Sequence, residues 1–288
     1  MSEYVIITDS ACDMKPELLA EWGVPFKSLT FRFNGSDQEY SSSDMDTSEF
    51  YAKMKAGSIA KTSAVNSESF TQMFEATLKE GKDVLYLGFS SGLSTTFNSA
   101  RLAAQELSER YPDRKIMVVD TLSASAGFGM LVYFAVQKKK AGASIEENAA
   151  HIEELKWKLC HWFTVDDLVY LKRGGRISPT VAFVGNVLGI KPVLHVDNEG
   201  HLINMFKVRG RKTSVTALAD QYDKLAEDPA GGTVFISHAD CMADAEELAG
   251  ILKSRHGATV QIITDVGPVI GAHAGPGTLA LFFVGKER

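Results

Sequence analysis

Tyr4-Val5-Ile6-Ile7-Thr8-Asp9-Ser10-Ala11-Cys12-Asp13 is the stretch that decides the fold. A strand with one wet face alternates apolar and polar residues. A short β-branched run with no polar break reads instead as a strand buried on both faces, as in a parallel sheet. It ends abruptly at Asp9-Ser10, where polar side chains can take up free backbone groups. The same grammar recurs downstream. Val84–Leu87 and Ile116–Val119 are further apolar runs, each followed by a Ser/Thr-rich loop, and Leu29–Phe33 adds an alternating strand. Helices are expected from Asp46 or Thr47 to about Ala56, from Ser67 to Gly81, and through Leu102 and Leu107. Strand, loop and helix thus alternate over the first ~120 residues, which predicts a parallel sheet covered on both faces.

The second half reads as α+β. Helices are expected over Ala124–Lys139, Ile145–Leu159, Val215–Ala226 and Ala243–Ser254. Ile190–Val196, the turn at Asp197–Gly200 and Leu202–Val208 predict an antiparallel hairpin. Strands Val234–Ser237, Val260–Thr264 and Leu279–Val284 complete the pattern. The change falls near residues 156–165, giving an α/β domain over 1–160 and an α+β domain over 161–288.

Composition narrows the class. The 288 residues are 45% hydrophobic, 23% charged and 9% aromatic, a globular mix. A net charge of −6 gives no general pull toward nucleic acid or an anionic membrane. Cys12, Cys160 and Cys241 are sparse and unpaired in spacing, as in a reducing compartment. Met1-Ser2-Glu3 opens without the basic and apolar regions of a signal peptide, and no apolar run reaches the ~18 residues of a span. A cytoplasmic location is the expectation.

Hydroxyl residues gather at the strand ends: Thr8 and Ser10, Thr62 and Ser63, Ser90 and Ser91 with Ser94, Thr95 and Thr96, and Thr121 with Ser123 and Ser125. Ligands of open parallel sheets bind beyond those ends. Helix capping explains any single hydroxyl; four such loops together suit a small anion. No GxxxxGK[ST] is present, Gly127-Phe128-Gly129 lacks its third glycine, and no hydroxyl loop carries a lysine, so a carboxylate fits better than a nucleotide phosphate.

Gly88-Phe89-Ser90-Ser91-Gly92 matches GxSxG, and Asp120 or Asp265 and then His273 follow in the order of an α/β-hydrolase triad. The following helix starts too late for a nucleophile elbow, and no HGGG-like segment precedes it. A serine esterase is therefore the alternative rather than the leading reading. The histidines show no HExxH and no Cys/His knuckle, so no metal is expected; Asp9 and Asp13 read as caps. Two basic knots remain, Leu171–Ile177 and Arg209 with Arg211 and Lys212. They are either solvated turns or contacts for a phosphate-bearing partner. Gly267–Gly277 reads as a constrained loop holding His273 between glycines.

Thr8–Asp13, Thr62-Ser63, Ser91-Gly92-Leu93-Ser94, Leu171–Ile177, Ile190-Lys191-Pro192 and Gly271–Gly277, in this order, resemble the bacterial DegV family, which includes the fatty-acid-binding subunit of fatty acid kinase. The resemblance runs from Thr8 to the C-terminus. It implies two α/β domains with a long-chain fatty acid, such as palmitate, between them and no other cofactor. Thr62 and Ser94 would bind the carboxylate, with His273 nearby. Family members usually read Ser-Gly-Leu-Ser-Gly-Thr, whereas Thr95 here adds a side chain beside that site. The resemblance further implies a carrier without chemistry of its own. It would present the acid to an ATP-dependent kinase subunit that forms the acyl phosphate, with Arg173 and Arg176 facing that partner. Transient contact with a membrane surface would exchange the lipid; a lipid-sensing regulator without a kinase is the other variant. Burying ~14 methylenes at about 0.8 kcal/mol each supplies on the order of 11 kcal/mol before association costs, so the tail gives affinity and the hydroxyls offset desolvation of the acid. Phe128, Met130, Leu131 and Val181–Leu188 are candidates for the tail's lining.

Overall fold

A computed structural model describes residues 3–177 and 189–288. The opening run forms β1 (Tyr4–Asp9), flanked by β2 (Phe26–Lys27) and β6 (Asp83–Gly88), with β7 (Ile116–Asp120) beyond; all pairings are parallel in the order β2-β1-β6-β7. Helices α3 (Ser67–Lys79) and α4 (Thr96–Arg110) pack together beside β6 and β7. Helices α5 (Ser125–Lys140) and α6 (Ile145–Leu155) form a second packed pair against the same sheet. The expected caps are in place: Asp46 Oδ1 accepts from Ser48 N at 2.8 Å to open α2 (Thr47–Lys55), and Gly57 and Gly81 close α2 and α3 at positive φ.

The second sheet has six strands in the order β10-β9-β8-β13-β11-β12: β8 (Leu159–Thr164), β9 (Ile190–Val196), β10 (Leu202–Arg209), β11 (Val234–His238), β12 (Val260–Asp265) and β13 (Leu279–Val284). Only β11 and β12 pair in parallel. Side-chain alternation sends Cys160, Trp162, Leu281 and Phe283 to one face, which packs on α8 (Arg211–Leu225) and α9 (Met242–His256). His161, Phe163, Ala280 and Phe282 go to the other face and meet α5. A small antiparallel sheet, β4-β3-β5 (Tyr40–Ser41, Thr30–Phe33, Ala60–Ser63), packs with α2 against Val266 and Ala272. Helices α1 (Pro16–Glu21), α7 (Val169–Arg173) and α10 (Pro268–Ala274) complete the description.

Helix α5 explains how the halves join. It is buried from Ser125 through Val132, apolar nearly all round, and contacts both large sheets. Gly127 and Gly129 allow this. A Cβ at 127 would meet Phe282 Cδ1 at 2.5 Å, and one at 129 would meet Met14 Cε at 2.6 Å. The C-terminus adds a latch: the guanidinium of Arg288 donates to the carbonyls of Val196, Lys156 and Leu122. The expected strands and helices fall within a few residues of their places, but β2, β4, β5, β8, α1 and α7 are absent from the sequence reading, and the helix expected to reach Leu159 ends at Leu155, with β8 starting at Leu159. Gly267–Gly277 departs from it. Pro268, with φ preset for a first helical turn, starts α10 there instead of a loop. Among the described residues no helix is long and apolar enough to cross a membrane.

Candidate functional site

Between the four-stranded and six-stranded sheets lies a cavity of about 480 Å³, within the ~300–1,000 Å³ usual for small-molecule sites. Its wall is largely hydrocarbon, with Leu29, Phe89, Leu93, Phe163, Val269 and Phe282 among the contributors. At one part of the wall polar groups converge. Thr62 on β5, Ser91, Ser94 and Thr95 from the β6–α4 loop, His273 on α10 and Arg176 after α7 all line it.

Each of these side chains is held by local structure. Strand β5 pairs antiparallel with β3, Thr62 opposite Phe31, and this directs Thr62 to α10. Thr62 Oγ1 and His273 Nε2 lie 2.8 Å apart. His273 is wedged in place by glycines: a Cβ at 174 would come within 2.1 Å of its Nδ1, and one at 271 within 2.4 Å of Tyr51 Oη. The Tyr51 hydroxyl in turn donates to Val266 O at 2.6 Å. The glycines' close approach is thus to neighbouring side chains. Ser94 Oγ accepts from Thr96 N at 3.2 Å and sits 2.9 Å from Thr96 Oγ1, which itself accepts from Val65 N. Thr95 has φ −76 and ψ −4, ordinary helical values, so a residue with a side chain fits without strain.

Electrostatically the site is a cation among neutral donors. Burial first, and the nearby Arg176 second, push His273 down to about 4, so its imidazole is neutral near pH 7. The Arg176 guanidinium donates to Leu93 O at 3.1 Å and Gly174 O at 2.5 Å, partners without charge. Among the described residues it has no carboxylate partner, which suits an incoming anion.

The structure sorts the sequence candidates. Thr62, Ser94, Thr95 and His273 meet at one cavity. Arg176 joins them in the wall, whereas Arg173 is exposed, with its guanidinium 5.5 Å from the Tyr170 ring centroid. Several hydroxyls of the strand-end set are spent on backbone instead. Thr8 donates to Leu87 O, Thr121 to Gly88 O and Ser123 to Thr121 O. Asp9 is fully occupied by Ala11 N, Tyr86 Oη and Phe89 N, and so fixes the β6–α4 loop. Phe128, Met130 and Leu131 lie in the core rather than the cavity wall, and 181–188 lies outside the described residues. The GxSxG serine is not a nucleophile in waiting: Ser90 is fully buried, its hydroxyl donates to Gly200 O at 2.9 Å, and His273 is engaged with Thr62. Of Arg209, Arg211 and Lys212, Arg211 is tied to Asp244 at 2.9 Å.

Known proteins share this sequence pattern and this fold. A family model described as "Uncharacterised protein, DegV family" matches residues 3–286. A DegV domain-containing protein of Clostridium perfringens is 44% identical over 289 aligned residues, covering 100% of this chain and 99% of the relative. A solved DegV family protein from Thermus thermophilus, reported for fatty acid binding, has 31% identity and a TM-score of 0.88, covering 99% of this chain and 100% of that one. A stearic-acid-binding protein from Eubacterium ventriosum has 26% identity, a TM-score of 0.88 and 98% coverage of both chains. With a family match over nearly its whole length and a relative of this similarity, the chain belongs to the DegV family.

Proposed function

We propose that the protein binds a long-chain fatty acid in the cavity and presents its carboxylate to a partner kinase. The observation that carries this reading is the cavity itself: a mostly apolar space with neutral hydroxyls, a neutral imidazole and one guanidinium at one part of its wall. Hydrocarbon burial then supplies affinity, and the polar groups compensate the desolvated acid. If His273 Nε2–H donates to Thr62 Oγ1, the Thr62 proton is free for the carboxylate; Thr96 frees the Ser94 proton in the same way. Thr95 borders the acid, and Arg176 balances its charge.

The carrier would have no catalysis of its own. An ATP-dependent kinase subunit would dock over α7, where Arg173 is exposed, and transfer the γ-phosphoryl to the carboxylate, giving acyl phosphate and ADP. On the same reading the division is 1–160 and 161–288, with β8 straddling the junction. The protein is cytoplasmic and touches a membrane surface only to exchange lipid. The lipid-sensor variant shares the cavity and drops the kinase; the exposed Arg173 favours the carrier.

Reconstitution tests this. Protein, palmitate, ATP and the cognate kinase subunit are mixed, and acyl phosphate is trapped with hydroxylamine. Product that needs both proteins, and that falls at least tenfold with Arg173→Ala while palmitate binding is kept, supports the reading. Product without the kinase subunit, or full activity of Arg173→Ala, contradicts it.

A further inference from the structure

Away from Thr62 and His273 the cavity wall should be plain hydrocarbon if the tail it receives is plain hydrocarbon. It is not. Ser125 on α5 and Ser237 on β11 both line it, and their hydroxyl oxygens are 3.0 Å apart. Ser125 Oγ donates to Asp13 Oδ2 at 2.6 Å, so the pair ends on a buried carboxylate. With that proton given to Asp13 and the Ser237 proton given to Ser125, what remains unused on both oxygens is acceptor capacity. His161 on β8, only 1% exposed, lines the same wall. Its Nδ1 lies 3.0 Å from Leu159 O, a contact that requires the proton on Nδ1, and its Nε2 has no partner among the described residues. Every unused valence on this wall is therefore an acceptor.

The backbone is also held at a cost. Ser125 and Asp13 adopt φ of 54° and 52°, in the left-handed backbone region that favours glycine, and their side chains meet each other. A glycine and an apolar residue would satisfy the local fold with less strain.

We propose that the cavity selects acyl chains bearing a hydroxyl group, with that hydroxyl donating to the Ser125–Ser237 pair. This deepens, and rests on, the fatty-acid reading above. The hydroxyl belongs in the chain rather than beside the acid. Asp13 lies against Gly267 at the start of α10, while His273 is six residues further on, which at helical rise is about 9 Å. A buried hydroxyl without a partner weakens binding about tenfold or more, so the discrimination is measurable.

The test compares stearate with the positional series of monohydroxystearates by calorimetry at pH 8. The variants are Ser125→Gly, which suits the backbone at that position, and Ser237→Ala. The expected result is one isomer that binds the unmodified protein at least as tightly as stearate. That isomer then loses tenfold or more in each variant, while stearate changes less than twofold. Overturning results are that every isomer binds more weakly than stearate, as when only water sits there, or that the variants keep the preference. If stearate itself does not bind, the fatty-acid reading fails and this proposal with it.

Discussion

Thr62→Val replaces one hydroxyl by a methyl group of nearly the same shape, at a strand position whose register is set by backbone pairing with β3. The fold has little reason to change: the lost contact is the 2.8 Å pair with His273 Nε2, half-buried at the cavity edge. Binding has good reason to. A hydrogen bond to a charged group is worth about 1.5–3 kcal/mol, so the palmitate Kd should rise roughly 10–150-fold. Hexadecanol, which brings the same tail and no charge, should lose only a neutral hydrogen bond of about 0.5–1.5 kcal/mol, less than ~15-fold. Displacement of a fluorescent fatty acid measures both, with a urea titration as the stability control. A Kd for palmitate that moves less than threefold, or a loss equal for acid and alcohol, would refute the assignment of Thr62 to the carboxylate.

Ala280 sits on β13 in the apolar wall, and Ala280→Leu should exclude about two methylenes of the tail. That is a loss of about 1.6 kcal/mol, some 15-fold for palmitate and far less for a chain shorter by two carbons; competition among chain lengths measures it. Stability should depend on pH with a definite sign. Burial depresses His161, and it pushes His195 and His273 down to about 4, so between pH 4 and 6 the unfolded chain binds protons these imidazoles refuse, and acid destabilises. Burial raises Asp9 to about 6 and Asp13 to about 7, which acts oppositely in the same window. Three groups against two leave a net loss of roughly 1.4 kcal/mol per unit on acidification, and Asp13→Asn should steepen it; urea midpoints from pH 6 to 4.5 that stay flat or rise would contradict this. Arg288→Met should remove a half-buried latch, leave the carbonyls of Val196, Lys156 and Leu122 without that donor and cost about 1–3 kcal/mol in urea unfolding.

Much of this was legible in the residues. The unbroken run Tyr4–Thr8 announced a strand covered on both sides, and Leu279–Val284 is the last strand to the residue. The strand-end hydroxyls and the glycine-flanked histidine mark out Thr62, Ser94 and His273, but only the DegV resemblance joins them at one carboxylate, because nothing in spacing alone brings residues 62 and 273 together. Gly267–Gly277 reads as a constrained loop because its glycines and prolines hide any helical period. In the fold the glycines are contact points, and Pro268 starts a helix among them. The resemblance assigns Arg176 to the partner-facing surface, and a basic, glycine-flanked turn has no apolar periodicity to show that its guanidinium also lines the cavity. The Asp13–Ser125–Ser237 chain was half visible as hydroxyls at strand ends. Its third member comes from the other sheet, and that union is tertiary.

Native mass spectrometry of the gently purified protein, with extraction and identification of whatever is bound, shows most plainly whether this cavity holds one aliphatic acid. The expected result is a mass excess of a single long-chain fatty acid per chain, lost on extraction and restored by adding palmitate. A protein that runs at its bare mass, and stays there after incubation with saturated, unsaturated and hydroxylated long-chain acids, would contradict it.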